Sequence, residues 1–320
     1  MAVSDTLPIL QVAAIEPRDP EKDWLIQQLW GRAAVGFIGG PPKSCKSWLA
    51  LDMAVSVASG TPCLGCFPID DPGPVLVYLA EDHLASVRQR SAALCDHRGL
   101  DLSRLDLHVI TAPSLRLDLR EDYERLDRTL GQRKPRLLLL DPLVRLHRID
   151  ENSSAEISVL LGSLRELNRR HEVAIAVVHH MSKKARAQQG QALRGSGDLH
   201  AWTDSACYLV HRGDRELELT AEHRGCEAPD PMRIKLIDDD DGIRLEIAGA
   251  QRPSTPLVET VRAALRDADG PRTRGALRSQ LAVNNARLGA ALADLECRGL
   301  AERKAQGWAS ARPEQLPLLK

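Results

Sequence analysis

Lys46 and Ser47 close the run VGFIGGPPKSCKS (residues 35–47), in which an apolar stretch gives way to a Gly/Pro-rich turn. A lysine beside a hydroxyl after such a turn is a polyphosphate-binding pattern. Backbone N–H groups wrap the phosphates, the lysine reaches the β/γ-phosphates and the hydroxyl holds Mg²⁺. Gly40, Lys46 and Ser47 meet the Walker A spacing G-x-x-x-x-G-K-[ST], with Pro41, Lys43 and Ser44 inside the loop. Cys45 stands where the last glycine belongs, a position that serves a backbone conformation or close approach disfavoured by a side chain. A plain turn between strand and helix is the competing reading. A thiol at a helix N-terminus beside Lys46 is expected to have a lowered pKa and raised reactivity; simple tolerance of Cys is the alternative.

Three further groups end apolar runs. Glu81 and Asp82 follow PVLVYLA (residues 74–80), either as ligand-side acids at the end of a central strand or as acids opening the next helix, with Asp82 leaning to the cap. Asp141 follows RLLLL, the Walker B pattern in which a carboxylate orients Mg²⁺ or its water shell. His179 and His180 end a run beginning at Val173. Adjacent strand residues point to opposite faces, so the two histidines do not share one ion and only one faces a nucleotide. The choice for that one is a phosphate-sensing role or an ordinary strand-end polar residue.

These groups need a parallel sheet to bring them together. Strands are expected from Val35 up to the Gly/Pro-rich turn, over 74–80, 105–111 and 173–178 and before Asp141, alternating with helices over 48–58, 83–98, 120–130 and from Asn152 or Ser153 to Arg170. Segment 23–30 (DWLIQQLW) reads as an amphipathic turn or two, and residues 1–21 as a flexible lead-in. SACYLVHR, RELELTAEHR and MRIKLIDDDDGIRLEI read as late strands, with the four aspartates at a turn. The fold class expected is α/β with a mainly parallel sheet over residues 22–250.

Residues 181–198 form a long, polar, basic loop carrying Lys183, Lys184, Arg186 and Arg194, suited to a nucleic-acid backbone or simply solvated. Aromatic residues make up only 3% of the chain, so broad base-stacking platforms are not expected and any grip on nucleic acid is expected to be mostly to the backbone and electrostatic. At 320 residues, two domains are expected. The net charge of −1 confines attraction for nucleic acid to local patches. Seven scattered cysteines, with neither a signal peptide nor an apolar run of about 18 residues, lead to an expectation of a reducing cytoplasm and no membrane. Cys63 and Cys66 have no second pair to complete a zinc site and read as loop thiols.

After a linker at 251–256, residues 257–311 read as three helices and two short strands, and 312–320 as a tail. This pattern resembles a winged-helix domain with 284–298 in the recognition-helix place. From Arg252 onward there are 12 Lys and Arg against 7 Asp and Glu. Arg287, Arg298, Arg303 and Lys304 are the candidate phosphate contacts to duplex DNA, with protein docking as the alternative.

The order Walker A, Glu81-Asp82, Asp141-Pro142, His179-His180-x-Ser182-Lys183, Arg194-Gly195-Ser196 and His223-Arg224-Gly225 resembles the RepA-like branch of RecA-fold ATPases, over about residues 22–240. That branch includes plasmid hexameric replicative helicases. The resemblance implies ATP and Mg²⁺ as cofactors. It implies Lys46 and Ser47 on phosphate and metal, Glu81 polarising water, Asp141 positioning the metal and His180, with His179 as the alternative, as sensor. Arg224 would be an arginine finger inserted into a neighbouring subunit's site, and the basic loop would face a ring channel. Cys45 departs from the family's glycine and Glu222 from its common lysine. The function expected is a ring-forming, homo-hexameric, ATP-driven helicase or translocase on single-stranded DNA, working with replication proteins of a mobile element. The alternative is a nucleotide-gated DNA-binding regulator or loader with slow turnover.

Overall fold

A computed structural model describes residues 7, 9–15, 23–151, 153–180, 198–213, 216–239, 242–247, 255–268, 270–281, 283 and 285–311. The basic stretch with Lys183, Lys184, Arg186 and Arg194 lies outside the described residues, as does the tail after 311 and most of the lead-in and linker.

The chain opens with short strands β1 (Trp24–Ile26) and β2 (Trp30–Gly31), then β3 (Val35–Gly40), helix α1 (Lys46–Ser59), β4 (Val75–Leu79) and α2 (Leu84–His97). β5 (Leu107–Val109), α3 (Arg120–Arg133), β6 (Leu137–Asp141), α4 (Ser154–His171) and β7 (Ala174–His180) complete the alternation. A short α5 (Asp198–Trp202) precedes β8 (Ser205–His211), β9 (Glu216–His223), β10 (Met232–Asp239) and β11 (Gly242–Ile247).

Among the described residues these form one nine-stranded sheet in the order β11-β10-β9-β8-β3-β7-β6-β4-β5. The six strands from β8 to β5 run parallel, and β9 to β11 extend the edge antiparallel. Central strands such as LLLLD are buried along their whole length because helices cover both faces. One layer packs α1 and α2 on the sheet, the other α3 and α4. Gly36 permits the close approach of β3 and β8: a Cβ there would lie 1.7 Å from the Ser205 carbonyl oxygen.

Segment 23–30 is not helical. Leu25, Ile26, Leu29 and Trp30 are all buried, and β1 pairs antiparallel with β2, so four inward apolar groups in eight residues make a hairpin under the sheet rather than an amphipathic turn. Of the four aspartates, Asp238 and Asp239 continue β10 opposite Ile243 and Gly242.

Asp52 lies on α1 at 1% exposure. It pairs with Arg98 of the α2 end at 2.5 Å and accepts the Leu64 N–H at 2.8 Å and the Cys63 thiol at 3.2 Å. The Cys63–Cys66 turn is thus pinned by a carboxylate, and no metal-binding cluster occurs among the described residues.

Beyond the linker, α6 (Thr255–Arg266), α7 (Arg274–Leu281), α8 (Asn285–Cys297) and the antiparallel pair β12 (Ala301–Lys304) and β13 (Gly307–Ser310) enclose a core of their own. This unit touches the sheet domain through Arg303, whose Nη1 lies 2.8 Å from the nearly buried carboxylate of Asp70. Among the described residues no helix is long and apolar enough to cross a membrane.

Candidate active site

Gly40 ends β3, where a Cβ would lie 2.4 Å from Ser44 Oγ and 2.8 Å from the Leu209 carbonyl oxygen, so only glycine admits the turn. The loop is closed by Pro41, whose carbonyl accepts bonds from the buried Ser44 hydroxyl and from Lys46 Nζ, each at 2.8 Å. Lys43 (φ 63°) and Cys45 (φ 58°) both take the left-handed conformation. Cys45 therefore occupies a backbone geometry that favours glycine, at a cost of about 1–2 kcal/mol. Its thiol is pushed above the ordinary range by burial, against the opposing pull of Lys46. The expectation of a lowered pKa at this helix N-terminus is corrected: loss of water outweighs the nearby cation. Lys46 is itself buried and its pKa is lowered by that burial, with Asp141 acting in the other direction.

Register brings the other groups to this loop. Gly40 of β3 is level with His180 of β7, and Leu79 of β4 is level with Asp141 of β6, so the carboxyl ends of four parallel strands surround the start of α1. Ser47 Oγ donates to Asp141 Oδ2 at 2.6 Å. Burial raises Asp141 to about 6, opposed by the Ser47 bond. Glu81 lies on the rim, its Oε1 accepting from Arg145 Nε at 2.8 Å. Lys43, Ser44, Cys45, Lys46, Ser47, Glu81, Asp141 and His180 line one cleft. His179 is 2% exposed with its ring 5.7 Å from that of Phe37, so His180 is the member of the pair that reaches the cleft.

Two residues that sequence reasoning missed, Trp48 and Arg90, also line it. Arg90 holds Asp82 with two bonds of 2.9 Å and sits 5.8 Å from the centre of the Trp48 ring. Asp82 is accordingly an ion-pair partner and not the helix cap; the cap position is His83. Nothing in the linear pattern marks Arg90, since its side chain reaches the cleft only through the path of α2.

Arg224 is not brought to this cleft. Its backbone N–H bonds the Asp204 carbonyl, while the Asp204 N–H bonds Val35 at the opposite end of β3 from the loop. Val35 and Gly40 are the two ends of this strand, separated by roughly 17 Å at about 3.3 Å per step. Its guanidinium donates to the Ala201 carbonyl and lies 3.6 Å from Asp204, itself gripped by Arg165. His200, Thr203, Glu222 and His223 line a second depression around it. In the C-terminal unit, Arg298 pairs with Asp294 at 3.0 Å and Lys304 with Glu302 at 2.7 Å. Arg303, expected on phosphate, is engaged by Asp70, and Arg287 lies on α8.

Among solved structures, the chain is similar to the "ATPase Domain of G40P" at 14% identity and a TM-score of 0.52, over 67% of this chain and 84% of that one. "The Structure Of A DnaB-Like Replicative Helicase And Its Interactions With Primase" matches at 14% identity and a TM-score of 0.49, over 67% of this chain and 59% of that chain. The RadB recombinase matches at 19% and 0.47, over 67% and 90%. The first likeness shows the fold, an α/β core built on a mainly parallel sheet. Residues 3–186, more than half of the chain, match the AAA domain family, and the chain belongs to that family.

Proposed function

We propose that this chain binds and hydrolyses ATP as a RepA-like ATPase that assembles into a ring and moves on single-stranded DNA. The observation that carries the reading is the convergence of Lys46, Ser47, Asp141, Glu81 and His180 at the carboxyl ends of four parallel strands. The donor set suits a magnesium nucleotide: a hydroxyl already bonded to a buried carboxylate supplies two hard oxygen ligands, and Lys46 Nζ rests on a loop carbonyl within the phosphate cradle. Mg²⁺ would neutralise charge developing on the phosphates.

Each protein group then has a task. Backbone N–H groups from Lys43 to Ser47 bind the phosphates, with Lys46 countering their charge. Ser47 and Asp141 hold the metal. Glu81 accepts the proton of the attacking water, and His180 reads the terminal phosphate toward the basic stretch that carries Lys183, Lys184, Arg186 and Arg194. Arg224, about a strand length from its own loop, acts in a second copy's site. The C-terminal unit serves as a winged helix that docks on duplex DNA or a replication protein through Arg287, Arg298 and Lys304. A cytoplasmic setting and a mobile-element host process belong to the same proposal.

A second reading rests on Cys45, which puts a side chain into the lining of the cleft where the Walker A pattern has glycine: a nucleotide-gated DNA-binding regulator or loader with slow turnover. Steady-state hydrolysis with and without oligo-dT, alongside oligomer mass in ATP, separates the two. DNA-stimulated turnover in a ring-sized assembly supports the motor. Binding of ATP without turnover, with hydrolysis appearing in Cys45→Gly, supports the regulator and overturns the motor.

A further inference from the structure

Beside the nucleotide cleft, on the far side of Glu81, lies a second cleft lined by Tyr78, Ala80, Pro113, Ser114, Arg116 and Arg145. Glu81 lines both. The Arg145 side chain turns back onto Glu81 from the short turn Leu143–Arg145, two residues after Asp141. Arg116 braces that turn: its Nη1 donates to the carbonyls of Arg145 and His147, each at 2.8 Å. Two guanidinium groups thus share a cleft whose lining offers one carboxylate. Asp122, outside that lining, accepts the Arg116 backbone N–H and pairs with Arg125.

The Glu81–Arg145 pair is about half exposed on both sides, 49% and 53%, so it is a weak, exchangeable contact. A phosphodiester offers Arg145 a bidentate partner and brings Arg116 and the Ser114 hydroxyl as additional donors, which a single carboxylate oxygen does not. We propose that the Arg116–Arg145 cleft is a binding site for a nucleic-acid phosphate and that its occupation takes Arg145 from Glu81, freeing the carboxylate for its work in the adjacent cleft. The second half of the inference rests on the assignment of Glu81 above; the first does not.

Linkage makes the site testable without hydrolysis, because a phosphate and Glu81 compete for one arginine. Oligo-dT binding is measured by anisotropy on the full chain, at two salt concentrations, for wild type, Glu81→Gln, Arg145→Ala and the double variant, with Arg145→Lys as the charge-retaining control. Glu81→Gln is expected to tighten binding about threefold or more. Arg145→Ala is expected to weaken it, with the salt slope falling by about one. The tightening by Glu81→Gln is expected to vanish when Arg145 is already Ala. Equal tightening with and without Arg145 reduces the effect to general charge and overturns the site, as does unchanged affinity in Glu81→Gln. Inorganic phosphate up to several millimolar, without DNA, distinguishes a free-anion site: if it raises kcat as oligo-dT does, the ligand assignment fails.

For hydrolysis, Arg145→Ala is expected to raise DNA-free kcat toward the DNA-stimulated wild-type value with KM for ATP unchanged, and to lose stimulation by DNA. A lowered kcat restored by Arg145→Lys makes Arg145 a positioning residue for Glu81 and overturns the release step. Absence of hydrolysis in every variant, with the binding cycle intact, overturns the assigned activity and leaves the phosphate site standing.

Discussion

Ser47 on the first turn of α1 and Asp141 at the end of β6 are joined by a 2.6 Å hydrogen bond, although 94 residues separate them in the chain. The bond ties the phosphate loop to the strand that carries the acid, and it also partly offsets the burial of Asp141.

Asp141 gives the nucleotide-free protein a characteristic pH response. Its folded pKa, raised by burial to about 6, lies above the unfolded value near 3.8, so the native state holds the proton more tightly. That stability is complete below about pH 4 and is lost as pH rises through 6, a change of about 3 kcal/mol at most. Urea unfolding in EDTA at pH 4.5 and 7.5 is expected to show Asp141→Asn gaining roughly 2 kcal/mol on the wild type between the two. Parallel stabilities at both pH values would contradict it.

Cys45→Gly removes a side chain from a left-handed backbone and is expected to raise unfolding free energy by about 1 kcal/mol. It is also expected to tighten binding of a non-hydrolysable ATP analogue, read by titration calorimetry. Because burial raises the thiol pKa, alkylation of Cys45 at pH 7 is expected to lag behind that of exposed Cys297, read by mass spectrometry. Faster reaction at Cys45 would restore the activated-thiol reading.

The alternation of strands and helices was legible because each central strand is a short apolar run, and RLLLLD and PVLVYLAED carry their acids at the very end. The hairpin at 24–31 was not: with few residues and buried positions at both Leu25 and Ile26, it has neither a clean period of two nor one of 3.6. Asp52 sits in an otherwise apolar helix and Arg90 on an ordinary polar one, so their partners, Arg98 and Asp82 with Trp48, become visible only when α1 and α2 pack. The sign of the Cys45 shift was missed for the same reason, since sequence shows the neighbouring Lys46 but not the burial.

Asp52→Ala leaves the Arg98 guanidinium buried without its carboxylate and frees the Leu64 N–H. Loss of one partner of a buried pair costs about 3–5 kcal/mol. Chemical denaturation is expected to show that loss, and a change under 1 kcal/mol would mean the pair is solvated.

Asp70→Ala should loosen the C-terminal unit, because Arg303 reaches across to that nearly buried carboxylate. Limited proteolysis is expected to cut the 251–256 linker faster in the variant, with hydrogen exchange rising in β12. Unaltered cleavage would mean that other contacts hold the unit in place.

The most direct test of a site completed by a second copy is a mixing experiment. Lys46→Ala retains Arg224 but lacks a working phosphate loop, whereas Arg224→Ala retains the loop and lacks the arginine. Each alone is expected to hydrolyse ATP at no more than about one hundredth of the wild-type rate, given the worth of such an arginine. An equimolar mixture, assembled in ATP, is expected to recover a substantial fraction of wild-type turnover. If the mixture stays as inactive as its parts while mass measurement shows mixed oligomers, Arg224 does not act across a subunit boundary and the central claim fails.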